Sequence, residues 1–236
     1  MGFEADIYLK DSNIPFYKTW ATSELLTWTS FLLFFILIIP INFINEIVAS
    51  FVIDVLLFLS VFPLLTIVFA SFKRIVEYEK MNGKLEGKIS LSETSILIND
   101  KTYLFNEIKD FKIGYGNKYG DFTGNTKIGA TYSLGLNNSV SFYYDSNYIE
   151  VFFQLKTENQ LNTLKQDLYF YLINEVLPLN TRTFQYVDKK FKHKEEFKNL
   201  IHKHIKSGKL SCTEGLLMIG YSSDKEAKEL RQRYCF

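Results

Sequence analysis

The sequence predicts a membrane α-hairpin joined to an α+β body: a seven-stranded antiparallel barrel capped by a C-terminal helix, then a small all-α tail. Three observations carry this. Residues 25–72 are an apolar block, broken only by a polar cluster at 42–46 and by Asp54. Residues 83–155 alternate apolar and polar side chains between turn signals, the period of half-buried strands. Residues 157–176 change to helical spacing behind a capping pair.

The hairpin comes first. A bilayer core about 30 Å thick takes roughly 20 helical residues to cross. The block of 48 residues at 25–72 is too long for one span and suits two, with Asn42, Asn45 and Glu46 at the tip. Lys10 and Lys18 precede it, Lys73 and Arg74 follow it, and the tip carries no Lys or Arg. Positive residues stay cytoplasmic, so both termini are expected there, with residues 1–24 as a cytoplasmic N-terminal segment. Trp20 and Trp28 fit an interfacial belt. The acidic residues Glu4, Asp6, Asp11 and Glu24 and the lack of an A-x-A-like site argue for an uncleaved anchor. Within the spans, Asp54 and Pro63 are the functional candidates. Asp54 stands roughly 28 Å along the helix from Lys73, near the outer interface, where it can snorkel to water. Pro63 removes one helical hydrogen bond, to the Leu59 carbonyl, and predicts a kink. Pro40 is expected to end or bend the first span.

Composition then divides. The whole chain of 236 residues carries +1, but residues 73–236 hold 25 of its 27 Lys and Arg and 20 of its 26 Asp and Glu, a charge near +5. Leu85, Gly87, Ile89 and Leu91 alternate with Lys84, Glu86, Lys88 and Ser90 as the first strand. Turns at 92–95 and 99–101 lead into strands at 96–98 and 102–105, and Ile108, Phe111, Ile113 and Tyr115 mark the next. Six glycines fall between 114 and 135, without a P-loop ending or a Gly-x-Gly-x-x-Gly, so they read as hairpin turns and bulges. Tyr115, Tyr119, Phe122 and Tyr132 are interleaved with them and are the candidate ligand- or partner-binding residues. Strands at 140–144 and 148–155 follow. Thr157 with Gln160 caps a helix whose apolar face is Leu161, Leu164, Leu168, Leu172 and Val176, stopped by Pro178.

Residues 83–179 resemble a bacterial pleckstrin-homology (PH)-like domain, seven strands and a capping helix. The phrases that suggest it are Gly87-Lys-Ile-Ser-Leu91, Tyr103-Leu-Phe-Asn-Glu-Ile-Lys-Asp110 and Ser133-Leu-Gly-Leu-Asn137. With its anchor, the chain resembles small bacterial inner-membrane proteins that pair two helices with such a domain. The resemblance implies a binding or scaffolding module, not an enzyme, with the lipid bilayer and a protein partner or self-association as its partners. Its first turn, Ser92-Glu93-Thr94-Ser95, has no Lys or Arg, so phosphoinositide binding does not carry over.

The tail, residues 182–236, has 13 Lys and Arg against 7 Asp and Glu. Three helices are expected: one through Phe197, Leu200, Ile201 and Ile205, one capped by Ser211 and Glu214, and one capped by Ser223 and Glu226. Lys225, Lys228, Arg231 and Arg233 of the last, with Lys73 and Arg74, are the candidates for contact with the anionic inner leaflet. The last helix mixes these with Glu226 and Glu229, which suits a solvated face better than nucleic acid. His193, His202 and His204 lack a zinc spacing, and no metal or cofactor is expected. Cys212 and Cys235 are expected as free thiols in a reducing cytosol. Two other functions remain open: a signal-gated two-span effector whose barrel senses a small ligand, and a membrane-tethered helix-turn-helix regulator.

Overall fold

The computed structural model describes residues 2–44, 50–124, 129–177 and 183–235. Strand β1 (Phe3–Lys10) precedes two long helices, α1 (Thr22–Ile44) and α2 (Ser50–Arg74). Eight strands follow: β2 (Gly83–Leu91), β3 (Ser95–Ile98), β4 (Lys101–Leu104), β5 (Lys109–Gly114), β6 (Tyr119–Phe122), β7 (Tyr132–Leu134), β8 (Asn138–Tyr144) and β9 (Asn147–Phe153). Then come α3 (Glu158–Ile173), α4 (Lys189–Lys192), α5 (Glu195–Lys206), α6 (Cys212–Ile219) and α7 (Asp224–Tyr234).

α1 and α2 are long and apolar enough to cross a membrane. At 23 and 25 residues each is about 35 Å long, against a bilayer core of about 30 Å. They are antiparallel neighbours that bury small side chains, Ser30 and Ser60, and expose large ones such as Leu32, Phe58 and Phe69. α1 runs through Pro40 to Ile44 instead of ending there, and α2 is helical without a break across Pro63. The predicted tip residues Asn45 and Glu46 lie outside the described residues.

The expected seven-stranded antiparallel sheet is present with a different membership. Its order is β4-β3-β2-β1-β9-β8-β5, and β6 and β7 form a separate two-stranded ribbon. The seventh strand is β1, inside the segment read from the sequence as a separate N-terminal stretch. Phe3, Ala5 and Ile7 alternate with Glu4 and Asp6 and point into the core. β1 pairs along its length with β2, from Phe3 opposite Leu91 to Lys10 opposite Gly83, and at Ile7 with Phe153 of β9. The hairpin is thus spliced between two hydrogen-bonded neighbours.

The sheet is open rather than a closed barrel, with β4 and β5 at its edges. Closure is unnecessary for burial. The 105–108 connection between the edges carries Phe105 and Ile108 inward, and α3 covers the apolar face with Leu161, Leu164, Leu168 and Tyr171. Phe3 and Phe153 meet edge to face at 5.5 Å, and Phe142 is fully buried beside Tyr103. The Phe3 amide donates to Asp167 of α3 at 2.8 Å, tying the first strand to the last helix of this unit. The Thr157–Gln160 capping box starts α3 as expected. α3 ends at Ile173, ahead of the predicted stop Pro178, which lies outside the described residues.

α3 has a second apolar face. Tyr169 and Leu172 join Phe191, Phe197, Ile201, Ile219 and Tyr234 in the core of the tail. α5, α6 and α7 match the three expected helices, and the one-turn α4 is additional. Ser211 and Glu214 form a full capping box. At α7 the Ser223 hydroxyl accepts from the Glu226 amide, but the Glu226 carboxylate turns to Ser222. Cys212 and Cys235 are not free thiols but a disulfide, because the start of α6 and the end of α7 bring their Cα atoms to 5.5 Å.

Candidate functional site

The densest polar and aromatic grouping lies where the hairpin meets the sheet. α2 unwinds through Ile75, Val76 and Glu77, whose amides still bond back to Phe72, Lys73 and Arg74. The Glu77 carboxylate then turns to the other helix. It accepts from the Thr22 amide at 2.8 Å and the Ser23 amide at 3.0 Å. These are orphan donors of the first turn of α1, so a residue after α2 caps the helix before it. Burial pushes the Glu77 carboxyl up, but the bonds from Ser23 and Thr22 outweigh this and hold it below the ordinary range.

The same connector is strapped to β7. The Glu77 carbonyl accepts from the Thr131 and Tyr132 amides, and the Glu79 amide donates to the Tyr132 carbonyl at 2.8 Å. Glu79 Oε2 accepts from the Ser133 hydroxyl at 3.0 Å and the Leu134 amide at 3.1 Å. Between them Tyr78 stacks on Tyr119 at 5.0 Å and lies 5.3 Å from Tyr132. Gly135 holds the base of this ribbon against the main sheet. Its φ is +69°, and a Cβ there would stand 2.3 Å from the Leu155 carbonyl oxygen and 2.7 Å from the Tyr119 amide nitrogen, so only glycine fits.

Of the four aromatic candidates, three meet here. Tyr119 and Tyr132 share the cluster, and Phe122 is the register partner of Tyr132 and exposed. Tyr115 stands apart: it leaves β5 toward the tail and donates its hydroxyl to the Tyr186 carbonyl at 2.8 Å, and burial pushes that hydroxyl up. Glu77, Tyr78 and Glu79 are not among the candidates that the sequence marks. The signal was the alternation Glu-Tyr-Glu two residues after Lys73-Arg74, which sets two carboxylates on one side of an extended chain.

Lys73 and Arg74 end α2 at this junction. Lys225, Lys228, Arg231 and Arg233 are exposed on α7, and Arg233 is paired with Glu195 at 2.6 Å and lies over the Tyr234 ring. Asp54 is exposed near the far end of α2, and Pro63 is buried within it. His202 Nδ1 lies 2.7 Å from the Tyr234 carbonyl, and His204 is buried in the tail. Among the described residues no three or more His, Cys, Asp or Glu are grouped to hold a metal ion.

Beside the aromatic cluster a cavity of about 500 Å³ opens between β1, the root of α1, the connector and the β6–β7 ribbon. Tyr8 and Phe152 give it an apolar wall, and Lys10, Glu24, Glu79 and Lys80 give it charge. No protein family, curated protein or solved structure matches this chain.

Proposed function

We propose that the chain is a non-enzymatic binding module, anchored in a bacterial inner membrane by α1 and α2, which presents a cytoplasmic PH-like domain to a protein partner or to lipid headgroups. The observation that carries this reading is the splice: two apolar helices leave and re-enter one sheet between β1 and β2, and Glu77 binds the end of one to the start of the other. The domain therefore has little freedom to swing on its anchor, and the β6–β7 ribbon is held at the membrane-proximal end. Seven main-sheet strands with α3 on their apolar face support the PH-like reading. A filled interior, with Phe3, Phe111, Phe142 and Phe153 fully buried, favours a scaffold over a barrel that encloses a ligand.

Lys73 and Arg74 at the root of the hairpin support the cytoplasmic side for the body. The Cys212–Cys235 bond then lies where cytosolic reductants reach it. The test of anchor and orientation uses the full chain with Cys212→Ser and Cys235→Ser. It stays in the membrane pellet through alkaline extraction. A Lys101→Cys probe on the exposed edge strand reacts with an impermeant maleimide only after the inner membrane is opened. Release by alkali removes the anchor, and labelling of intact spheroplasts reverses the orientation.

A further inference from the structure

The cavity at the root of the hairpin is lined by charges of both signs. Lys10 ends β1 and Lys80 lies in the connector. Both are exposed and line the cavity, and neither side chain has an ion pair or hydrogen bond among the described residues. Glu24, in the first turn of α1, lines it as well and is likewise unpartnered there. Glu79 is different: its carboxylate is engaged by Ser133 and Leu134. Two lysines and two glutamates thus line one space of about 500 Å³, with Glu79 held by neutral donors and Glu24, Lys10 and Lys80 paired with nothing among the described residues. That volume is within the range that encloses small ligands. An anion alone would answer the lysines and leave Glu24 opposed to it. A cation alone would do the reverse. A ligand carrying both a phosphate and a primary ammonium answers all three.

The location selects the source. Glu24 belongs to the first turn of the first span, and Lys80 stands six residues beyond the last residue of the second. On the reading that α1 and α2 cross the bilayer, on which this inference rests, the cavity lies at headgroup depth. We infer that it binds a phosphatidylethanolamine-type headgroup, with the phosphodiester accepting from Lys10 and Lys80 and the ammonium donating to Glu24. Tyr8 and Phe152 take the apolar flank of the glycerol side. Choline loses the donation to Glu24, and a glycerol headgroup loses the cation.

The experiment reconstitutes the full chain in nanodiscs of phosphatidylcholine with equal minor amounts of phosphatidylethanolamine and phosphatidylglycerol. Lipid retained after transfer to mild detergent is counted by mass spectrometry. The wild-type chain retains phosphatidylethanolamine at least fivefold over phosphatidylglycerol. Glu24→Gln abolishes that preference while phospholipid is still held, and Lys10→Gln with Lys80→Gln lowers retention of both lipids at least fivefold. Equal retention of the minor lipids by the wild-type chain, or retention unchanged in the lysine variant, overturns the inference. Displacement of the lipid by equimolar soluble phosphoethanolamine overturns the lipid as the occupant. Alkaline extraction of the same preparation separates the two levels: a chain that washes off sinks the anchor and the headgroup site together, whereas one that stays without a lipid preference sinks only the site.

Discussion

The hairpin and the sheet domain distribute their side chains in opposite directions. In the seam of α1 and α2 the buried residues are small, Ser30 and Ser60, and the large apolar ones face outward. In the sheet the buried residues are large, Phe3, Phe111, Phe142 and Phe153, and charge faces outward. On the proposed reading that the hairpin lies in a bilayer, lipid is as apolar as Leu, so nothing drives a large side chain into the seam, and close backbone approach decides the packing. Water drives the sheet's aromatics inward, at about 25 cal/mol per Å² of apolar surface removed from it. Between the two regions Glu77 accepts from the Thr22 and Ser23 amides and Glu79 from the Ser133 hydroxyl and the Leu134 amide, with Tyr78 stacked on Tyr119 between them.

The contrast is open to direct attack. The largest effect is expected in the sheet, where Phe142→Ala costs about 3–5 kcal/mol in denaturant unfolding of the detergent-solubilised chain. The matching truncation on the exposed face of the hairpin, Phe58→Ala, changes stability by no more than about 0.5 kcal/mol. Equal losses would mean the hairpin packs by the same rule as the sheet. Next comes the reverse substitution in the seam: Ser60→Leu overpacks it and costs about 1–3 kcal/mol, read by resistance of the hairpin to proteolysis in detergent. At the junction Glu77→Gln costs about 1 kcal/mol, seen as faster amide exchange in the first turn of α1. Because the Glu77 pKa is held below its ordinary value of 4.5, its contribution is complete above that value and is lost as pH falls through the folded-state pKa. The smallest effect is in the tail. Burial holds the His204 imidazole below its ordinary 6.5, with Lys209 adding to this. Its contribution is therefore present above pH 6.5 and lost on acidification through the folded-state pKa, so the protection factors of the α5 amides, corrected for intrinsic exchange, fall as the pH is lowered below 6.5 in the wild-type chain and not in His204→Leu.

Local signals in the sequence were reliable where both partners of an interaction lay close together. The hairpin turn at Asn99 and the turn at Asp145-Ser146, all at positive φ, and the capping boxes of α3 and α6 were readable because each closes within a few residues. β1 carries an equally plain alternation, Phe3-Glu-Ala-Asp-Ile7, but its partners begin beyond the apolar block, and a pattern of five residues does not say what it pairs with. The same distance hid the junction. Glu77 finds Thr22 across 55 residues, and Cys212 finds Cys235 only once α6 and α7 have folded together. The aromatic candidates were half legible: the composition of the glycine-rich stretch marked Tyr119, Phe122 and Tyr132, but nothing in it distinguished Tyr115, whose direction is set by the tail it meets.

The placement of β1 has a consequence for how the protein is made. This strand is made before both helices, and on the proposed reading that α1 and α2 cross a membrane it has no mate until the chain has passed through and come back. On that reading its ladder with β2 forms only when α1 and α2 have delivered their ends to one compartment. A chain inserted with one span, or with its spans inverted relative to each other, strands Phe3, Ala5 and Ile7 on the far side and leaves β2 and β9 each with an unpaired edge. Completion of the sheet would then report that both spans had been inserted.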